Sequence, residues 1–275
     1  MTRLITDWIG KPEDDFKKYD AKLERLTGMG IPEMAFHAAG FQFRAFGRQF
    51  ASSVGIVGCR VAAVRMTAGE GVIGSFAETV AIVASHMGAE TFIPECSDVA
   101  GIHEAVSKGA EILFMADDDR FIALNIKTGA VAENDSATAL GYVSALSAMA
   151  GGLSGKEALL LGFGRVGREA LKCLLASGAS VKIYDRDGAK TQMMHGKESV
   201  EVISELPLPL SGLVFDATNE GGYLGANDIS NDIAIAAPGI PLSFDEEAYR
   251  VHHDRIIHDP LHLGVAIMLA LAVKI

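Results

Sequence analysis

Three cysteines in 275 residues, Cys59, Cys96 and Cys173, are too few and too scattered for a disulfide framework or a paired redox motif. That usage suits a reducing compartment, so a cytoplasmic protein is expected. Positive charge is scarce as well: 24 Lys and Arg stand against 35 Asp and Glu, a formal net charge of −11. Without a basic stripe to displace counterions, nucleic acid is not expected as a partner, and neither is an anionic membrane surface. The opening MTRLITDWIGKPEDDF has no apolar signal core. The longest apolar run, Leu263 to Val273, is too short to span a bilayer and reads as a buried terminal helix. Local catalytic signatures are missing too: there is no HExxH pair, nucleophile elbow, GxxxxGKS loop or kinase set. His252, His253, His258, Asp259 and His262 lie close in sequence. Asp259-Pro260 reads as a helix start, however, which leaves His258 off any face shared with His262, so no metal is expected. A bound redox cofactor is then the simplest source of chemistry.

What the chain does have is a hydrophobic share of 49%, enough to bury a substantial core, and a length suited to two domains. Its most specific segment is ALLLGFGRVGREALKCLLASGASVKIYDRD, Ala158 to Asp187. Ala158 to Leu161 read as a buried parallel strand, Arg168 to Ser177 carry helical periodicity, and Val181 to Tyr184 form a second strand that ends at Asp185. Between the first strand and the helix, Gly162, Gly164 and Gly167 spell GxGxxG, with an acid about 20 residues on. The three glycines serve different mechanical ends. Gly162 allows the tight turn, Gly164 the approach of backbone to a pyrophosphate, and Gly167 the close packing of helix on strand. The helix N-terminus favours the phosphates, and Asp185 is placed for ribose hydroxyls and against a 2′-phosphate. NAD is therefore the expected cofactor, with Arg186 beside Asp185 as the one residue that tempers the preference.

The rest of the pattern is α/β. Pro12, followed by Glu13, Asp14 and Asp15 and then by Lys17, Lys18, Lys22 and Arg25, suits a helix and its dipole, and a second helix follows Pro32. Phe36, Phe43 and Phe50 recur at heptad spacing with Phe46 beside them, a stripe that suits either ordinary core or a subunit seam. From Val61, strands VAAV, ETFI and EILFMA alternate with helices SFAETVAIVASHMG and DVAGIHEAVSKG, the second capped by Asp98. Ser136 to Met149 read as a long connecting helix. Beyond the glycine unit come strands GLVFDA and DIAIAA, the helical DEEAYRVHHD, the strand RIIH and a last helix. The expected fold is a two-domain α/β protein. Residues 1–150 form N-terminal helices and a smaller α/β domain, 151–258 a Rossmann-type dinucleotide domain, and 259–275 a helix returning to the first.

A cleft is expected at the carboxyl ends of the strands. Ala217 and Thr218 follow one nucleotide-domain strand, and Pro238 and Gly239 follow another, small residues that let backbone approach a nicotinamide ribose. In the first domain the glycine-rich loop from Met66 to Ser75 joins a strand to a helix that Ser75 can cap, and its N–H groups suit a carboxylate. Asp117, Asp118 and Asp119 follow EILFMA, with Asp117 the candidate to grip a cationic amine. Glu133, Asn134, Ser136, Thr138 and Tyr142 are weaker candidates for the same cleft.

VRMTAGEGVIGSFAETV, ILFMADDDRFIALN, LLLGFGRVGREAL, DATNEGG, APGIP and DPLHLG, in that order, resemble the PylD family, the dehydrogenases that complete pyrrolysine biosynthesis. The resemblance runs from about Arg25 to the C-terminus. It implies a homodimer and a dipeptide-like substrate, lysine acylated on its side-chain nitrogen by 3-methyl-D-ornithine, whose terminal amine is oxidised. By the same resemblance Thr67, Gly71 and Ser75, with Ala116 and Asp117 and with Leu4 and Ile5 of the N-terminal arm, meet the substrate. NAD is held by Gly162, Phe163, Gly164, Arg165, Val166, Gly167 and Asp185, beside Ala217, Thr218, Pro238 and Gly239. An ammonium must lose a proton before oxidation, and Asp117 could bind it or relay the proton through water. Two alternatives stay open: another two-domain NAD dehydrogenase acting on an amino acid or one-carbon unit, and an NAD-binding regulator without catalysis. The loops MTAGEGVIGSF and MADDD carry no lysine of the kind expected near a free amino acid's carbonyl, and Lys108 and Lys127 lie elsewhere.

Overall fold

The computed structural model describes residues 11–41, 56–69 and 74–274. They divide into two units. The first takes, of these, residues 11–21, 30–41, 56–69, 74–137 and 260–274, and the second takes Lys22–Met29 and Thr138–Asp259.

Helix α1 (Pro12–Thr27), which passes from the first unit to the second at Lys22, carries Glu13, Asp14 and Asp15 in its first turn and Arg25 in its last, complementing the helix dipole. Helix α2 (Ile31–Ala38) follows, with Pro32 in its first turn, where a missing N–H costs nothing. Strands β1 (Arg60–Val64), β2 (Glu90–Phe92) and β3 (Ile112–Ala116) are parallel. Helices α3 (Phe76–His86) and α4 (Asp98–Ser107) make the crossovers between them. The chain then doubles back through β4 (Phe121–Asn125) and β5 (Val131–Glu133), both antiparallel to their neighbours, giving the order β2-β1-β3-β4-β5. Helix α8 (His262–Val273) is apolar on every side and buried along nearly its whole length, as a helix must be when it lacks a polar face. It packs on α2, α3 and β4. The Phe36 ring is buried edge-on to Phe41, with centroids 5.6 Å apart; Phe43, Phe46 and Phe50 lie outside the described residues.

The second unit holds six parallel strands: β6 (Glu157–Leu161), β7 (Ser180–Tyr184), β8 (Val200–Val202), β9 (Leu210–Asp216), β10 (Ile229–Ala236) and β11 (Ile256–Ile257). Their order is β8-β7-β6-β9-β10-β11, so the direction of winding reverses between β6 and β9. Helix α6 (Arg165–Ala176) links β6 to β7. Helix α7 (Glu246–His252), capped by the Asp245 carboxylate on Ala248 N at 2.7 Å, links β10 to β11. Strand β8 has no counterpart in the sequence pattern, because three residues with exposed Glu201 between half-buried valines show no usable periodicity.

Three local expectations are corrected. Asp98 does not cap α4: Ser97 takes the N-cap position, and the Asp98 carboxylate turns to Thr67 instead. Helix α8 starts at His262 rather than at Asp259-Pro260, since the Asp259 carboxylate is held by Tyr142. Tyr142 itself does not line a cleft. It is 1% exposed on helix α5 (Asn134–Ala150), accepts from Asp259 N at 2.9 Å, and its hydroxyl stands 2.9 Å from Asp259 Oδ2. That clasp lies within the second unit, whose longer segment, Thr138–Asp259, starts inside α5.

Removing the hydroxyl takes a hydrogen-bond partner from a buried N–H and from a buried carboxylate. Tyr142→Phe should therefore lower unfolding free energy by about 1–3 kcal/mol in urea titrations. A loss below about 0.5 kcal/mol would show that the clasp is dispensable.

Candidate active site

The register of the second sheet sets the level at which its loops emerge. Leu161 at the end of β6 pairs with both Tyr184 and Asp216, so Gly162, Asp185 and Ala217 leave the sheet side by side. Gly162 N donates to Tyr184 O at 2.9 Å, and Ala217 N donates to Leu161 O at 2.8 Å. Gly162 takes φ +81°, and a Cβ there would stand 2.8 Å from Ala217 O and 2.9 Å from Thr218 N. A Cβ on Gly167, in the first turn of α6, would press into the Gly162 carbonyl. Around Gly164 a Cβ would meet nothing within 4 Å. Two glycines thus close the packing, and the third leaves an opening ahead of a helix N-terminus at the switch point of the sheet. Gly164 is the N-cap without a side-chain cap, and the ladder begins with Arg168 N on Gly164 O, so the earlier amides of α6 lie ahead of it. The arrangement fits a pyrophosphate. Phe163 is buried, while Arg165 is exposed and Val166 half-buried at the lip of the turn.

Asp185 does more than wait for a ribose. Its carboxylate is 8% exposed, accepts from Phe163 N at 2.7 Å and from Asp187 N at 2.8 Å, and lies 3.5 Å from Lys190 Nζ. It ties the glycine turn to the end of β7, and a carboxylate's four acceptor sites still leave room for a hydroxyl. Arg186, the next residue, is held by Glu220 at 2.5 Å.

Asp216, which sequence patterning treats only as the end of a strand, is a buried brace. It accepts from Thr218 N at 3.0 Å, from Thr218 Oγ1 at 2.7 Å and from the Ser243 hydroxyl. Gly239 N donates to Asp216 O at 3.0 Å, and a Cβ on Gly239 would run into Thr218 O. The small residue after β10 therefore allows close contact between two loops. Pro238 precedes it, and Ala237 O, one residue earlier, accepts from His258 Nδ1 at 2.7 Å. Burial pushes the Tyr223 phenol well above its usual range, helped by the nearby Asp216 charge.

The first unit gathers its own cluster. Asp98 Oδ1 accepts from Thr67 N at 2.7 Å and Asp98 Oδ2 from Thr67 Oγ1 at 2.5 Å; these bonds hold the Asp98 carboxyl below its usual pKa. Gly69, at φ +69°, lies so near Asp118 that a Cβ would collide with its carboxylate, which brings the loop after β1 against the turn after β3. That turn is a hairpin between β3 and β4. Asp117 Oδ1 accepts from Asp119 N at 2.9 Å and Arg120 N at 2.7 Å, and these two backbone bonds, Arg120's first, hold the exposed carboxyl below its usual pKa. Ala116 is the last residue of β3, paired with Phe121. Ser75 stands at the N-cap of α3, but its hydroxyl makes no capping bond; its carbonyl accepts from Thr79 N and Thr79 Oγ1. Thr67, Ser75, Ala116 and Asp117 thus belong to one unit. Leu4, Ile5 and Gly71 lie outside the described residues. Glu133 is taken by an exposed ion pair with Arg120 at 2.7 Å.

A family model for the pyrrolysine biosynthesis protein PylD, N-terminal domain, matches residues 9–132. The pyrrolysine synthase of Methanosarcina acetivorans is 33% identical over 211 residues, covering 76% of this chain and 81% of that relative. That of Methanosarcina barkeri strain Fusaro is 29% identical over 271 residues, covering 98% and 97%. Among solved structures, quinate dehydrogenase from Corynebacterium glutamicum in complex with NAD superposes at a TM-score of 0.50 and 12% identity over 78% of this chain and 93% of its own, a likeness of fold. With a relative one-third identical across three-quarters of its length, the chain belongs to the pyrrolysine synthase (PylD) family.

Proposed function

We propose that this protein oxidises the terminal amine of L-lysine-Nε-3R-methyl-D-ornithine and so forms the pyrroline ring of L-pyrrolysine. The observation that carries the reading is the glycine turn at the reversal of a six-stranded parallel sheet, in a chain of this family. Gly162, Phe163, Gly164, Arg165, Val166 and Gly167 would hold the pyrophosphate of NAD, with Asp185 on a ribose and Ala217, Thr218, Pro238 and Gly239 toward the nicotinamide end. NAD, when bound, supplies the hydride acceptor for the carbon that bears the amine. The largely buried Asp185 carboxylate, and the engagement of Arg186 by Glu220, favour NAD over a cofactor carrying an extra phosphate.

Ser75 at the N-terminus of α3 suits the substrate's polar groups, and Asp117 suits its ammonium. Held as an anion by two turn N–H bonds, Asp117 is an electrostatic anchor, not a base for an amine whose pKa is near roughly 10.4. The imine left by oxidation is hydrolysed to a semialdehyde with loss of ammonia. The remaining amine then attacks the aldehyde and closes the five-membered ring with loss of water.

Mixing enzyme, NAD and the dipeptide should raise absorbance at 340 nm and yield pyrrolysine; NAD binding without turnover of any amine would instead mark a regulator. Asp117→Asn keeps an acceptor for the turn but loses the charge, so catalytic efficiency should drop about 10- to 100-fold while NAD affinity in calorimetry stays the same. Unaltered efficiency would remove Asp117 from the mechanism. Gly167→Ala drives a methyl into the Gly162 carbonyl. NAD affinity should fall at least about tenfold, and affinity equal to the parent's would deny the turn its role.

A further inference from the structure

Oxidation of a primary ammonium needs a proton acceptor, and the acids of the first unit are poorly suited to supply one. Asp117 is exposed and held below the usual carboxylate range, and the Asp98 carboxylate is occupied by Thr67. The second unit contains a better candidate that the dinucleotide motif leaves unused. His258 is the first residue after β11, at the carboxyl edge of the sheet. Its neighbour Asp259 is clasped by buried Tyr142, which pins the backbone at that point. Ala237, on which its ring rests, leads directly into Pro238 and Gly239, and Gly239 in turn packs on Thr218 and Asp216. The imidazole is therefore fixed to the same stack of loops that would hold the nicotinamide end of the cofactor.

A carbonyl oxygen can only accept, so the 2.7 Å contact between Nδ1 and Ala237 O places the proton on Nδ1. Nε2 then carries the lone pair, and among the described residues no hydrogen bond engages it. From this placement the geometry points to His258 as the catalytic base that takes a proton from the substrate's terminal ammonium, an assignment that rests on the function proposed above. The N–H bond breaks toward Nε2 and its electron pair stays on nitrogen. That pair becomes the second bond of the imine as the adjacent C–H pair leaves as hydride for the nicotinamide. The carbon is oxidised, the dinucleotide is reduced, and the proton waits on the ring until solvent removes it.

The groups around the ring suit a base. Burial lowers the imidazole pKa, as does the positive charge of Lys22 more weakly, so the ring is neutral at pH 7. The Ala237 bond and the charges of Asp259 and Asp216 oppose that shift and would stabilise the imidazolium once it forms. Because the folded pKa lies below the free value of about 6.5, base function is present above the folded pKa and is lost as pH falls through it.

His258→Asn keeps a donor for Ala237 O and removes the lone pair. Its kcat should fall about 10²- to 10⁴-fold, with NADH affinity by calorimetry within about twofold of the parent. The deficit should shrink tenfold per pH unit as pH rises toward the amine's own pKa, a profile that a merely structural residue would not produce. A variant equal to the parent in kcat and pH profile overturns the assignment alone. A parent that makes no NADH from the dipeptide overturns both the assignment and the function beneath it. ¹⁵N spectra of the parent's histidines give a test independent of turnover and of variant folding. A neutral Nδ1–H ring for His258 at pH 7 supports the base, and an Nε2–H tautomer or an imidazolium defeats it.

Discussion

At the point where the second sheet reverses its winding, backbone touches backbone. Gly162, Ala217 and Thr218 lie too close to admit a Cβ on Gly162, and Gly167 and Gly239 are pressed equally hard against the Gly162 and Thr218 carbonyls. Loops from three neighbouring strands are thereby drawn into one rigid floor, and the opening beside Gly164 is the space they leave. Everything proposed about a dinucleotide depends on that contact, because backbone amides can converge on a phosphate only if no side chain holds the strands apart.

Carboxylates then brace what the glycines allow. Asp185 bonds the glycine turn to the end of β7, and Asp216 bonds the loop after β9 to Ser243. In the first unit Asp98 does the same for Thr67, and Asp117 for its own hairpin. Each acid satisfies backbone N–H groups at a place where the regular ladder has ended. The acidic balance of the chain thus acts partly in its architecture, with loop ends pinned by side-chain carboxyl groups rather than by apolar packing. The same bonds bear on the proton transfer proposed for a histidine. A carboxylate that accepts several N–H bonds is stabilised as an anion and loses basicity, whereas an imidazole fixed through one nitrogen keeps the other available.

Much of this was legible in the sequence. GxGxxG between an apolar strand and a helical period, with an acid at the end of the next strand, is a local pattern, since its elements are neighbours in the chain. The three parallel strands of the first sheet and the apolar last helix follow equally from periodicity and composition. Other features left no local trace. Tyr142 and Asp259 stand 117 residues apart, so nothing near either announces the clasp, and Tyr142 passes for a cleft residue. Asp98 before a helix looks like a cap because the competing partner, Thr67, lies 31 residues upstream. His258 drew notice only within a run of histidines, and its significance comes from the carbonyl of Ala237 on the neighbouring strand's end.

By itself, then, the order of residues determined the fold class, the position of the glycine turn and the family, because hydrophobic period, turn chemistry and motif spacing act over a few residues at a time. The tertiary structure alone decided which acids are spent as braces, where the unit boundary cuts α5, and which ring nitrogen is left with a lone pair. Those outcomes depend on groups far apart in the chain competing for the same donors and acceptors, and that competition is settled only when strands and loops come into register.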